Sequence, residues 1–251
     1  MKSKLNQLLQ PTGIIFRASP RPAYWRPWFL LILPPISLTA ISMIVGVIGV
    51  INAEGDRSVI NSTINEWIPV ILMTNHGLLF AILLWFLKLD GLKLSDIGWT
   101  KSFGDWKGLL EEVVIGVLAG IVLYILHQYV WQSAVDWLAG GRPTLRTASD
   151  SAPIGNNIFI SVSVGIVLGG FVEEQVYRGY ILTRLTEKLS MVPAVIFMIF
   201  FFMLLHIGLG WTGMLVAGMT GLMLTLLFIW RRSVYAAIIA HALINTFVLL
   251  L

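Results

Sequence analysis

Apolar runs long enough to cross a bilayer follow one another along almost the whole chain, from Trp28 to Leu251. Such runs leave little choice of architecture. Backbone N–H and C=O groups in hydrocarbon must be satisfied internally, and a helix does this within a single segment. The expected fold is therefore all-α, a polytopic membrane helix bundle. Helices are expected at about 28–50, 67–89, 108–131, 157–186, 192–208, 212–230 and 234–251. That makes about seven transmembrane helices; an eighth helix, or a segment that is re-entrant, would move the C-terminus to the other side.

Residues 28–251 read as one integral-membrane domain, because no stretch of useful size is polar enough to be a soluble unit. The preceding 1–27 carry basic residues and prolines, too long and too broken a stretch for the head of a cleavable signal, and read as a cytoplasmic tail. With no cysteine, disulfides, thiolate catalysis and Cys-ligated metals are excluded, which leaves serine, histidine and carboxylate chemistry. Nothing in the net charge of +4 points to nucleic acid, and the partner implied by composition is membrane lipid.

The placement of Lys and Arg orients the bundle. Thirteen fall on the side of the N-terminal tail, in the tail itself and at Lys88, Lys93, Lys101, Lys107, Arg184, Lys188, Arg231 and Arg232. Only Arg57, Arg142 and Arg146 fall on the other, so the N-terminus is expected in the cytoplasm and, with seven crossings, the C-terminus outside. Short loops and compact length suggest a multi-pass protein of a prokaryotic plasma membrane. Rows of small residues four apart, Gly116 with Gly120 and Gly213 with Ala217 and Gly221, are expected to let helices pack closely.

Against this background the stretch FVEEQVYRGY at 171–180 stands out, since a charge in the membrane is costly unless it is paired or used. On a helix Glu174 and Arg178 share one face and can pair, while Glu173 points about 100° away, on the face of Tyr177. One glutamate is thus expected to be paired and the other free to work. His206 follows one turn after Phe202, and His241 and Asn245 lie four apart on the last helix. At 1.5 Å per residue Glu173 and His206 lie ~20 Å deep, Asn245 ~16 Å and His241 ~10 Å, depths that permit one cluster. A carboxylate, two imidazoles and an amide suffice for acid–base chemistry on an amide bond. Other polar residues read as support: Glu111 and Glu112 as a solvated helix start, and His76 and His127 as interhelical or interfacial contacts. There is no HExxH helix and no glycine-rich phosphate loop.

Taken in order, Glu173-Glu174 with Arg178 (EExxxR), Phe202 with His206 (FxxxH) and His241 with Asn245 (HxxxN) resemble the motifs of the CAAX protease and bacteriocin-processing family. This Abi, or type II CAAX prenyl endopeptidase, family consists of intramembrane proteases. The match covers a motif core at about 157–251, and LSDIGWTK at 95–102 resembles the short segment before the family's third helix. The resemblance implies an intramembrane endopeptidase acting on a membrane-associated peptide or a lipidated, CAAX-type protein C-terminus. Glu173 and His206 inherit water activation, and His241 and Asn245 oxyanion stabilisation. Glu174 and Arg178 become orienting residues, and Tyr177 and Phe202 substrate contacts.

No cofactor is expected. Zinc on Glu173, His206 and His241 is the disfavoured alternative, because Asn245 would then lack a role and no sequence neighbour supplies a second shell for the imidazoles. The competing class is a non-catalytic membrane scaffold or bacteriocin self-immunity protein that uses the same polar network for binding. A proton-coupled transporter is disfavoured by the lack of repeated halves with broken helices.

Overall fold

The computed structural model describes residues 20, 23–52, 57–100, 105–140, 163 and 165–250. These form an all-α membrane helix bundle with no strand among the described residues. Helix α1 spans Trp25–Asn52 and continues through Pro34 and Pro35. Helix α2 spans Arg57–Asp90 and starts ten residues before the expected 67, because the polar stretch ahead of Trp67 is also helical. Helix α3 runs over Trp106–Leu138, past the expected 131, with a wider turn at Leu126–Trp131. Helix α4 is Gly165–Leu182, wound with the wide i→i+5 pattern and continued by Thr183–Leu185. Its expected beginning at 157–162 lies outside the described residues. Helices α5 (Met191–Leu205), α6 (Gly210–Arg231) and α7 (Val234–Leu250) complete the bundle.

Among the described residues four helices are long and apolar enough to cross a membrane: α1, α2 over Glu66–Asp90, α3, and Ile207–Arg231. Exposed tryptophans mark both ends of these spans. Trp25, Trp106 and Trp230 ring one end and Trp67, Trp137 and Trp211 the other, as amphipathic rings do at the two headgroup layers. Between them the outer face is apolar, with Ile36, Met43, Ile44 and Leu118 exposed where lipid rather than water is the solvent.

Contacts between helix ends fix which ends lie together. Arg26 at the start of α1 pairs with Asp90 at the end of α2. The Lys188 ammonium lies 4.5 Å from the Tyr24 ring. Arg231 at the end of α6 reaches Glu111 and Glu112 at the start of α3, each at 2.8 Å. The ends rich in Lys and Arg therefore gather on one face of the bundle, which is the alternation that the charge count requires. The Arg231 contacts also correct one expectation: Glu112 is 1% exposed and bound to Arg231 from two nitrogens, so only Glu111 behaves as a solvated residue at a helix start.

The core is largely α4 wrapped by its neighbours. Val176, Tyr177, Tyr180 and Ile181 are buried against Leu79, Leu83 and Phe86 of α2 and Met198 and Phe202 of α5. On the other flank α7 packs on α3 and α4. A Cβ on Gly116 would come within 2.9 Å of the Ala236 carbonyl, and one on Gly120 within 3.2 Å of that of Ala240, so this small-residue row serves packing of α3 on α7.

The segment before α3 is seated in the bundle. Leu94–Ile97 makes a single 3-10 turn, Gly98 follows at φ 106°, and its carbonyl accepts from Val234 N–H at 3.0 Å. The Trp99 indole N–H then donates to Gln175 Oε1 at 3.1 Å, tying this segment to the residue next to Glu174.

Candidate active site

A wide helical turn is rare and found mostly at functional sites, and here it carries the charged motif. Glu174 and Arg178 are both fully buried and pair at 2.8 Å. The Arg178 guanidinium is saturated further by the Gly221 carbonyl at 2.8 Å and Thr225 Oγ1 at 3.3 Å, and lies 4.7 Å from the centre of the Phe202 ring. Gly221 permits this: a Cβ there would stand 2.9 Å from the Phe202 ring and 3.2 Å from the guanidinium. A buried charge so fully partnered is an anchor rather than a reagent.

The same Glu174 oxygen that receives Arg178 also receives His241 Nδ1, at 2.7 Å. Glu174 thereby orients His241, whose Nε2 comes to 4.0 Å from Glu173 Oε2. Asn245 completes this edge. A Cβ on Gly169 would collide with the Asn245 amide and stand 3.6 Å from His241 Nε2, so both side chains of the last-helix pair meet α4 at one glycine.

His206 sits at the C-terminal end of α5 and not within it as expected, because the helix gives way to a 3-10 turn at Ile207–Leu209. Its Nδ1 is 2.9 Å from the Phe202 carbonyl. A carbonyl only accepts, so Nδ1 carries a proton, and in the neutral ring Nε2 is the nitrogen with the lone pair. His206 lies within electrostatic reach of Glu173, His241 and His76. Phe202 is the hub of the packing, with ring centroids 5.1 Å from Tyr177, 4.8 Å from His206 and 6.4 Å from His241. Tyr177 and Phe202 are themselves buried, and the Tyr177 hydroxyl has no hydrogen-bond partner.

Glu173 is not free, contrary to the simple reading of its helix face. Its Oε1 is 2.9 Å from Nε2 of His76, a residue of α2 that lies 97 positions earlier. The contact is interhelical, as expected for His76, but its partner is the motif glutamate. No signal short of three-dimensional packing pointed there, since one histidine in an apolar helix has no pattern to match. The other carboxylate oxygen, Oε2, is buried without a hydrogen-bond partner. A buried acceptor in that state is costly, and such atoms are expected where a ligand or water completes the set.

The zinc alternative can be tested on the same atoms. Among the described residues no three His, Asp or Glu side chains are gathered as a metal-holding group. A second shell is present that the sequence did not reveal, because His206 Nδ1 and His241 Nδ1 both have acceptors of the kind that support metal-bound imidazoles. As arranged, the residues do not fit a metal: among the described residues Glu173, His206 and His241 are not gathered as a ligand set, and His76 takes up the Glu173 oxygen it meets.

No curated protein and no solved structure matches the chain. A family model does, over the segment that supplies every motif residue from Glu173 to Asn245: residues 155–247 match the description "Type II CAAX prenyl endopeptidase Rce1-like". The buried acid, the paired arginine and two oriented histidines lie in that stretch, and over it, somewhat more than a third of the chain, the sequence is similar to the type II CAAX prenyl endopeptidases.

Proposed function

We propose that the protein is an intramembrane endopeptidase that hydrolyses a peptide bond of a membrane-associated substrate with water activated by Glu173 and His206. The observation that carries this reading is Glu173 Oε2, a buried carboxylate oxygen with no hydrogen-bond partner beside His241 Nε2. Water there would give its proton to Glu173 while its oxygen attacks the carbonyl carbon. The C–N bond then breaks, the amine leaves with a proton returned by Glu173 or His206, and the products are a free carboxylate and an amine.

The negative charge on the carbonyl oxygen in the tetrahedral intermediate falls to His241 and Asn245. With Nδ1 donating to Glu174, His241 Nε2 can donate to the oxyanion only as the imidazolium. Asn245→Ala is expected to lower kcat by about 10²–10³ with little change in KM, read by steady-state kinetics on one peptide. A proportionate rise in KM instead would make Asn245 a binding residue.

The substrate class that fits is a peptide or lipidated protein C-terminus delivered along the membrane. In this reading 28–251 form one integral-membrane domain of a prokaryotic plasma membrane with the N-terminal tail, 1–27, in the cytoplasm. Tyr177 and Phe202 back the catalytic groups and contact substrate only where it reaches the floor of the site. No metal takes part. The deciding experiment is cleavage of quenched fluorescent peptides, with and without a farnesyl-cysteine, by purified protein in lipid, beside Glu173→Ala and His206→Ala and with chelator present. Cleavage that survives chelation and is lost in both variants is expected. Loss on chelation with recovery on zinc would overturn the glutamate mechanism, and silence from folded wild type would favour the scaffold or immunity role.

A further inference from the structure

We propose that His76 is a positioning residue of this site, one that as an imidazolium holds Glu173 ionised and aimed for proton abstraction. The inference rests on the glutamate reading above and adds a helix outside the matched segment to the catalytic apparatus. Its ground is a proton count. His76 Nδ1 lies 2.9 Å from the Leu72 carbonyl, which only accepts, so Nδ1 carries a proton. The 2.9 Å contact from Nε2 to Glu173 Oε1 then requires one further proton, shared between imidazole and carboxylate. With that proton on His76 the pair is cation and anion, and Glu173 can accept one from water. With it on Glu173 the carboxyl is already spent as a base.

The surroundings select and hold the first arrangement. An unpaired carboxylate among apolar helices is so costly that it takes up a proton, whereas a cation in contact removes that penalty. The titratable and charged groups that face Glu173 are His76 from α2, Glu174, Tyr177 and Arg178 along α4, His206 from α5 and His241 from α7. Among them Arg178 is committed to Glu174, and His241 stands 4.0 Å off, which leaves His76 as the direct partner. The turn of α2 that carries it is pinned to α1, where Ser37 Oγ donates to Asn75 Oδ1 at 2.5 Å. Both ring nitrogens of His76 are engaged, Nδ1 with the Leu72 carbonyl and Nε2 with Glu173, so the ring has no lone pair left to activate water itself.

The test uses full-length wild type, His76→Gln, His76→Leu and Glu173→Gln in lipid, all checked for folding by thermal unfolding. Glutamine can still donate to Glu173 but cannot carry the proton. His76→Gln is therefore expected to lose roughly 10²-fold in kcat with KM nearly unchanged, and to move the acid limb of its pH–rate profile upward. Infrared spectra give a readout independent of cleavage. A protonated-carboxyl band, assigned by its absence from Glu173→Gln, is expected in His76→Gln and His76→Leu at neutral pH and not in wild type. If His76→Gln keeps the wild-type rate and profile, His76 is packing only. If wild type cleaves nothing, the protease reading fails, and the infrared band still decides the ion pair: its presence in wild type at neutral pH overturns the proposal.

Discussion

Glu173→Gln leaves the bundle folded and lowers kcat/KM by roughly 10²–10⁴-fold, the contribution of a positioned general base. Glutamine has the size of glutamate and its amide N–H can donate to the Nε2 of a neutral His76, so the α2–α4 contact survives the exchange. What is lost is the ability of the second oxygen to take a proton, and that oxygen is the one without a partner. Because charge as well as basicity is removed, His76 gives up its extra proton and its Nε2 accepts from the amide, so no buried charge is left unpaired and thermal unfolding should move little. The pattern that checks the role is lost cleavage with retained Tm. Full cleavage by the variant would remove Glu173 from the mechanism, and lost cleavage with a collapsed Tm would make it structural.

The sequence made some of this site legible because its chemistry is written at helical spacing. Glu174 with Arg178, and His241 with Asn245, lie four apart, and a four-residue step puts two side chains on one face whatever the tertiary packing. Intramembrane charge is also rare enough that its presence alone directs attention to α4. What escaped is what depends on a second element. His76 meets Glu173 across two helices, Glu174 reaches His241 as well as Arg178, and Arg231 closes over Glu112; each contact is set by how helices pack, not by any local period. Boundaries were lost for a different reason. Hydropathy marks the part of a helix that lies in lipid, so α2 and α3 extend beyond it into polar sequence that is equally helical. Hydropathy puts His206 inside a helix because the apolar run continues past it, whereas the chain turns at Ile207–Leu209 and presents the ring from a helix end.

Arg178→Leu is expected to destabilise the bundle by about 3–5 kcal/mol, the usual consequence of removing one partner of a buried ion pair. The charge itself is not the main stabiliser. Removing it strands the Glu174 carboxylate, whose second oxygen already lacks a hydrogen bond, and takes partners from the Gly221 carbonyl and the Phe202 ring. The double variant Glu174→Gln/Arg178→Leu separates these causes. Its amide can still accept from His241 Nδ1 and carries no charge to strand, so most of the lost stability should return. Cleavage should not return with it, because the carboxylate at 2.7 Å whose charge-assisted hydrogen bond aims the His241 ring at the oxyanion is gone. Thermal unfolding in detergent and cleavage in lipid, measured on the single and double variants, read the two effects apart. Recovery of both together would make the pair a brace for the helices with no part in orienting His241, and recovery of neither would place the stability of this region in the Arg178 contacts to α6 rather than in Glu174.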